Sequence, residues 1–104
     1  MYFLMICRHR DDVSVLRDET RPKHREHVAS GGNGLAKVLT GSALRQTQSE
    51  DGIGNFGVIE ADSYEAALRF AETDPFYLSG VVQSVELIRL ADTFQANRID
   101  PMTK

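Results

Sequence analysis

Cysteine, proline and tryptophan are scarce in this sequence. Its 104 residues include one cysteine, three prolines and no tryptophan. A single cysteine, Cys7, excludes an intrachain disulfide framework and a thiolate metal site, which indicates a reducing compartment and predicts a cytoplasmic protein. Because Cys7 lies inside an apolar run, we interpret it as a small buried hydrophobic residue.

Long apolar runs and clusters of basic residues are also missing. The longest apolar run, residues 2–7, is far shorter than the ~20 residues of a membrane span and has no basic segment before it. We therefore expect neither a membrane helix nor a signal peptide. The net charge of −3, without a lysine- and arginine-rich stretch, disfavours nucleic-acid binding. These exclusions leave one globular domain of ordinary composition, 41% hydrophobic and 26% charged.

Short apolar segments alternate with helical patterns along the chain. Pro22 suits the first turn of a helix, so the first helix is predicted to begin near residue 20. It is predicted to end near Ser30, where the glycines of SGGNG can adopt the left-handed conformation. Asp62 and Glu65 have capping-box spacing before the second helix. The predicted strands span residues 2–7, 35–44, 56–61 and 81–90, and the helices span residues 20–30 and 64–73.

The element order β-α-β-β-α-β predicts a ferredoxin-like α+β fold. In this fold a four-stranded antiparallel sheet carries both helices on one face. We assign Phe3, Met5, Val58 and Val85 to the opposite face, which is then too apolar to be left in water. A second subunit packed sheet against sheet would cover it, so we expect a homodimer of the dimeric α+β-barrel type.

The first helix carries a candidate catalytic residue, His24. It lies four residues before Val28, and at about 100° per residue Thr20, His24, His27 and Val28 share one side of the helix. Val28 is the clearest apolar member of this side, so His24 is predicted to face the sheet or the edge of a cleft.

The second helix carries a candidate partner, Asp74. It follows the predicted inward residues Phe70 and Ala71 at helical spacing and therefore points the same way. It also lies where the helix ends, and the macrodipole there disfavours an anion, which indicates a partner for the carboxylate. Asp74 could accept the N–H of His24 while the other ring nitrogen acts as general base or acid. From spacing alone, a structural polar pair is the more common outcome.

Other candidate sites are weaker. His24 and His27, with Glu26 between them, lack a third ligand, which disfavours a metal site. Arg8 and Arg10 follow the first strand and could bind an anion, although solvated charges are the simpler interpretation. The GGNG segment follows a helix, whereas a phosphate-binding loop precedes one.

Five segments in this order resemble the YCII-related family. They are MYFLMICRHRDD, RPKH, LTGSAL, GNFGVIEADSYEAALRFAETDPF and VQSVELIRL. The resemblance covers residues 1–90 and implies a ferredoxin-like fold, a dimer and a His–Asp pair at His24 and Asp74. The sequence departs from the family at His9, where an acidic or small residue is more usual. Residues 91–104 form a C-terminal extension, which we expect to pack on the partner subunit or frame its pocket.

The resemblance also implies a function. The activity associated with the family is dehydrochlorination of a chlorinated hydroxyhydroquinone, a proton-transfer reaction on a small oxygenated ring that needs no metal or other cofactor. A phenolic or quinone-like substrate would then lie in the cleft between helices and sheet, lined by Arg8, His9, Phe76 and Tyr77. The alternative is a non-catalytic small-molecule-binding or accessory module in which the His–Asp pair is structural. A catalytic His24 must reach a solvent-connected pocket, whereas a structural one should be sealed.

Overall fold

The computed structural model describes residues 1–104 and confirms the ferredoxin-like α+β fold. Four antiparallel strands form one sheet in the order β2-β3-β1-β4. No helix is long and apolar enough to cross a membrane. The elements are β1 (Tyr2–His9), α1 (Ser14–Gly34), β2 (Lys37–Arg45), β3 (Gly52–Glu60), α2 (Tyr64–Glu72), α3 (Pro75–Leu78) and β4 (Val82–Arg89), followed by a 3₁₀ turn at Ala96–Arg98.

Helix α1 begins at Ser14, so the predicted start near residue 20 is wrong. Pro22 lies in the helix interior, where its missing N–H leaves the carbonyl of Asp18 without its helical donor. An interior proline costs a helix ~3 kcal/mol in isolation. Leu16 before it and Val28 after it both pack against the core, and this packing holds the helix together across Pro22.

The glycine-rich end of α1 is as predicted. Gly31, Gly32 and Asn33 have φ angles of 61°, 63° and 61°, which end the right-handed α backbone after Ser30. The backbone N–H groups of Leu35 and Ala36 both donate to the carbonyl oxygen of Gly31. A Cβ atom at Gly31 would lie 1.9 Å from the carbonyl oxygen of Ala36, so only glycine fits at this position.

Helix α2 is capped one residue later than predicted. The N-cap is Ser63, whose hydroxyl accepts from the backbone N–H of Ala66, so the assignment of the cap to Asp62 is wrong. Ser63 has the extended backbone of an N-cap, with φ −154° and ψ 165°. Glu65 lies in the first turn, where its charge suits the helix dipole.

The two faces of the sheet are assigned differently from the prediction. Phe3 and Met5 belong to the buried core beneath the helices, and Val85 packs against that core. The strand register places Val58 on the opposite face, as predicted, together with Leu4, Ile6 and Phe56. Both faces of β1 are apolar, so alternation could not show which one the helices cover. The outer face is nevertheless apolar, and the homodimer remains a prediction.

The C-terminal segment returns to its own chain rather than extending away from it. The backbone N–H groups of Met102 and Thr103 donate to the carbonyl of Val38 at the start of β2. The hydroxyl of Thr103 accepts from the N–H of Val38 at 2.7 Å and donates to the carbonyl of Val28 in α1 at 2.9 Å. The end of this segment therefore forms an anchor between α1 and β2 of the same chain, and its packing on a partner subunit remains a prediction.

Candidate functional site

A cavity of about 390 Å³ lies between α1 and the strands β1, β2 and β3. Its lining is predominantly apolar and includes Met5, Val28 and Phe76. Gly54 and Gly57 line it from β3, and a Cβ atom at Gly57 would contact the Met5 side chain at 3.4 Å. Volumes of about 300–1,000 Å³ are typical of small-molecule sites, so the cavity can hold a single substituted ring.

His24 and Asp74 meet at the wall of this cavity. Nδ1 of His24 lies 2.9 Å from Oδ1 and 2.8 Å from Oδ2 of Asp74. Because an ionised carboxylate only accepts, His24 donates from Nδ1, which fixes its tautomer. Nε2 at the other edge of the ring has no partner in the chain, and His24 lines the cavity. The side chain of His24 is 17% exposed and that of Asp74 is 9% exposed.

Asp74 is held by the start of α3 as well as by His24. It is the N-cap of α3, and its Oδ1 accepts from the backbone N–H of Phe76 at 2.8 Å. Helix α2 ends at Glu72 with Thr73 as its C-cap, so the interpretation of Asp74 as an anion at the unfavourable end of a helix is wrong. The proline after Asp74 begins a new helical turn, and a carboxylate at that N-cap is favourable.

Phe76 supports both histidines of the site. Its ring is stacked on that of His24, with centroids 4.1 Å apart and an interplanar angle of 12°. It meets the ring of His9 edge to face, with centroids 5.5 Å apart. Phe76 is buried at 4% exposure, so it restricts the orientation of the His24 ring.

His9 lines the cavity with both ring nitrogens engaged. Arg17 donates from Nε to Nδ1 of His9 at 3.1 Å, and Nε2 lies 2.7 Å from Oδ1 of Asn55. This arrangement requires a neutral ring with its proton on Nε2. Burial lowers the pKa of His9 below its ordinary value of 6.5, and the nearby Arg17 charge adds to this effect. His9 therefore has no free nitrogen to offer a ligand.

The structure does not bring two of the predicted lining residues to the cavity. Arg8 lies on the opposite face of β1 from His9 and pairs with Glu86 at 3.1 Å. Tyr77 is 37% exposed and does not line the cavity. Arg10 donates to the carbonyls of Gly80 and Val82. The cavity therefore holds four of the predicted residues, which are His9, His24, Asp74 and Phe76.

His27 and Cys7 take part in other interactions. Nε2 of His27 lies 2.9 Å from the carbonyl oxygen of Phe70, and the ring of His27 stacks on the ring of Phe70. No group of three or more His, Cys, Asp or Glu side chains is placed to hold a metal ion. Cys7 is buried at 4% exposure. Its burial, together with the charge of Asp74, raises its pKa to about 12, so the thiol stays protonated.

Three arginines of the cavity were not identified from the sequence. Arg17, Arg21 and Arg25 all line it, and they are spaced four residues apart along α1. This spacing places them near one another on the helix surface and is the signal that could have found them. The predicted helix start near residue 20 leaves Arg17 outside the helix, so the four-residue spacing of the three arginines along one helix is not recognised. Asn55 was missed because it was assigned to a loop rather than to β3.

Comparisons with known proteins agree with this architecture. The model of the YCII-related domain matches residues 1–91, and the chain belongs to this family. Its structure is similar to that of 5-chloro-2-hydroxyhydroquinone dehydrochlorinase (TftG) from Burkholderia phenoliruptrix AC1100 in complex with 2,5-dihydroxybenzoquinone. The TM-score is 0.73 at 23% identity, over 88% of this chain and 94% of that chain, which supports the fold.

A second solved structure is more distant. The protein At3g17210 from Arabidopsis thaliana has a TM-score of 0.49 and 16% identity, over 88% of this chain and 94% of that chain. No curated protein matches the chain.

Proposed function

We propose that this protein transfers protons on a small oxygenated ring, and that its reaction is the loss of HCl from a chlorinated hydroxyhydroquinone. The observation that carries the proposal is the His24–Asp74 pair at the cavity wall. Asp74 holds Nδ1 at 2.8 Å and leaves Nε2 without a partner beside a space of about 390 Å³. A histidine fixed in one tautomer with the other nitrogen free is arranged as a general base or acid.

The substrate class is supported by the family and by the shape of the cavity. The similar protein TftG is a dehydrochlorinase of a chlorinated hydroxyhydroquinone and was observed with a dihydroxybenzoquinone bound. We place a ring of this size beside Met5, Val28 and Phe76, which line the cavity, with its oxygens toward His24. We extend this chemistry to the present chain as a proposal.

The proposed reaction requires one proton-transferring group. Nε2 of His24 accepts the proton of a ring hydroxyl and delivers a proton to the ring carbon that bears chlorine. Nε2 of His24, which is neutral again, then accepts the proton of a second hydroxyl, and that hydroxyl becomes a carbonyl as chloride leaves with the electrons of the C–Cl bond. The net change is loss of HCl and conversion of a hydroquinone to a quinone, so no external oxidant, metal or other cofactor enters the proposal. Asp74 orients the ring of His24 and stabilises its protonated form.

A structural role for the pair is the competing function. Asp74 caps α3 through the N–H of Phe76, and Phe76 stacks on His24, so the pair also joins α1 to α3. In that case the protein would be a small-molecule-binding or accessory module. Removing the imidazole of His24 distinguishes the two roles. Loss of a catalytic group lowers turnover, whereas loss of a structural group lowers stability.

The test is chloride release from 5-chloro-2-hydroxyhydroquinone, measured together with the melting temperature of each sample. We expect His24→Ala to lower turnover by ~10²–10⁴-fold, the range of general acid–base catalysis. Asp74→Asn should lower turnover by a smaller factor, because an amide can still hold the ring but cannot stabilise an imidazolium. His27→Ala is the matched control, since His27 lies on the same helix and bonds only to the Phe70 carbonyl.

The control should lose stability and keep its turnover. If His24→Ala keeps near-normal turnover and loses only stability, the catalytic role is wrong and the pair is structural. If wild-type protein releases no chloride, dehydrochlorination is excluded as its reaction.

A further inference from the structure

The cavity carries a positive charge that its proposed proton transfer does not use. Arg17, Arg21 and Arg25 line it from α1. Among its lining residues Asp74 is the only acid, and its carboxylate is engaged by His24 and the N–H of Phe76. The chain as a whole has a net charge of −3, so this accumulation is local rather than a property of the composition.

The three arginines differ in how their guanidinium groups are occupied. Arg17 donates to His9 and to the carbonyl of Gly52, so it belongs to the cavity wall. Arg21 pairs only with Asp18, whose side chain is 71% exposed. Such a surface pair contributes little free energy, and a ligand can replace it. Arg25 makes no hydrogen bond or ion pair within the chain and is therefore free to bind a ligand.

The helix places these two groups one turn apart on the same side of the proposed catalytic histidine. Arg21 precedes His24 by three residues and Arg25 follows it by one. Side chains four residues apart on a helix have Cβ atoms about 5–6 Å apart, which lets two guanidinium groups contact one carboxylate. Like charges at this spacing repel each other and destabilise a helix, and a bound anion would remove that repulsion.

We propose that the substrate of this cavity is an anionic ring, whose carboxylate or ionised oxygen is bound by Arg21 and Arg25 while the ring lies beside His24. This inference rests on the proposed function, because it assumes that a small ring occupies the cavity. It adds a substrate class to that function, since neutral rings of the same size would bind weakly.

The test compares two rings that differ by one carboxylate, 2,5-dihydroxybenzoate and hydroquinone, by isothermal titration calorimetry under argon. Wild-type protein should bind 2,5-dihydroxybenzoate about tenfold to a hundredfold more tightly, the range expected for hydrogen bonds between charged groups. Arg25→Gln and Arg21→Gln should each remove most of this preference and leave hydroquinone binding unchanged. Lys23→Gln is the matched control, because Lys23 lies on the same helix, is exposed and does not line the cavity.

The outcomes separate this inference from the proposed function. Equal affinity for both rings, or a preference that Arg21→Gln, Arg25→Gln and Lys23→Gln reduce alike, would overturn the anionic substrate class while leaving proton transfer by His24 open. A preference that only the two arginine variants lose upholds it, even if chloride release is never observed. Failure of wild-type protein to bind either ring would overturn the inference together with the small-ring site.

Discussion

His9 and His24 have the same side chain, but their partners give them different roles. Both rings touch Phe76 and both line the cavity. His9 receives a hydrogen bond from a cation, Arg17, and must stay neutral to accept it. His24 donates to a carboxylate and keeps its second nitrogen free. Both nitrogens of His9 are therefore engaged in the wall, whereas His24 has one nitrogen without a partner in the chain.

The neutral state of His9 predicts a dependence of stability on pH. Its pKa in the folded protein is below the ordinary value of 6.5, because burial and the charges of Arg17 and His24 outweigh the opposing effects of Asn55 and Asp74. The unfolded state then binds more protons than the folded state between the two pKa values. The contribution of His9 is fully present above pH 6.5 and is lost as the pH falls below it, by at most about 1.4 kcal/mol per pH unit.

This dependence can be measured by urea unfolding of wild-type protein and His9→Gln between pH 7.5 and pH 5. The difference in slope between the two proteins corresponds to at most about one proton taken up on unfolding. Glutamine keeps a polar group near Arg17 but does not titrate. The free energy of unfolding should fall more steeply with decreasing pH in wild-type protein than in His9→Gln. Parallel curves for the two proteins would contradict the assignment of a neutral, buried His9.

Residues that act on their immediate neighbours predicted the ends of helices and strands better than residues whose effect depends on distant packing. The glycines after Ser30 and the proline after Asp74 act within a few residues, and the structure agrees with both signals. Pro22 misled the prediction because its effect on α1 is decided by the core packing of distant side chains. The cap at Ser63 was missed because two neighbouring residues could both serve as N-cap, and only backbone geometry distinguishes them.

The candidate site was predictable to the extent that helical phase determines it. The phase of the first helix pointed His24 toward the sheet, and the spacing after Phe70 pointed Asp74 the same way. The contacts of Phe76 with two histidines, stacked on His24 and edge to face with His9, depend on tertiary structure that no spacing encodes. Arg8 points away from the cavity because neighbouring residues of a strand point to opposite faces, so Arg8 and His9 cannot both line it.

The C-terminal anchor gives a prediction for Thr103. Its hydroxyl satisfies the N–H of Val38 and the carbonyl of Val28, so it joins β2 to α1 beside the cavity. Thr103→Val keeps the shape of the side chain and removes both hydrogen bonds. We expect a loss of ~1–3 kcal/mol in the free energy of unfolding, because the N–H of Val38 and the carbonyl of Val28 both lose their hydrogen bond to Thr103.

The measurement is urea unfolding at constant pH, with Thr47→Val as the control. Thr47 lies in the exposed β2–β3 turn and its side chain makes no hydrogen bond within the chain, so the same substitution there should be nearly neutral. Equal effects of the two substitutions would show that the anchor adds nothing to stability.

For the whole molecule, the outer face of the sheet is the main unexplained surface. Leu4, Ile6, Phe56 and Val58 are only partly buried in one chain, and Ile88 beside Leu4 is 43% exposed. A small domain with such a face is typically completed by association. We expect a twofold dimer with these faces in contact.

Light scattering at micromolar concentration tests this assembly. Wild-type protein should have the mass of two chains, and Val58→Lys should have the mass of one, because a lysine ammonium buried between two sheets would be unpaired. Leu78→Lys is the control, since Leu78 is 71% exposed outside the sheet and its substitution should leave the dimer intact. A monomeric wild-type protein would refute the prediction.

Because one carboxylate serves both His24 and the N–H of Phe76, the protein contains its own spectroscopic reporter. The chain has no tryptophan, so indole fluorescence cannot follow events in the cavity. A proton gained or lost by His24 changes the charge facing Asp74, and Oδ1 of Asp74 carries that change to the amide of Phe76, 2.8 Å away. The chemical shift of a single backbone amide proton should therefore record the protonation of His24 and the arrival of a ligand. Nuclear magnetic resonance could follow it without any label on the ligand.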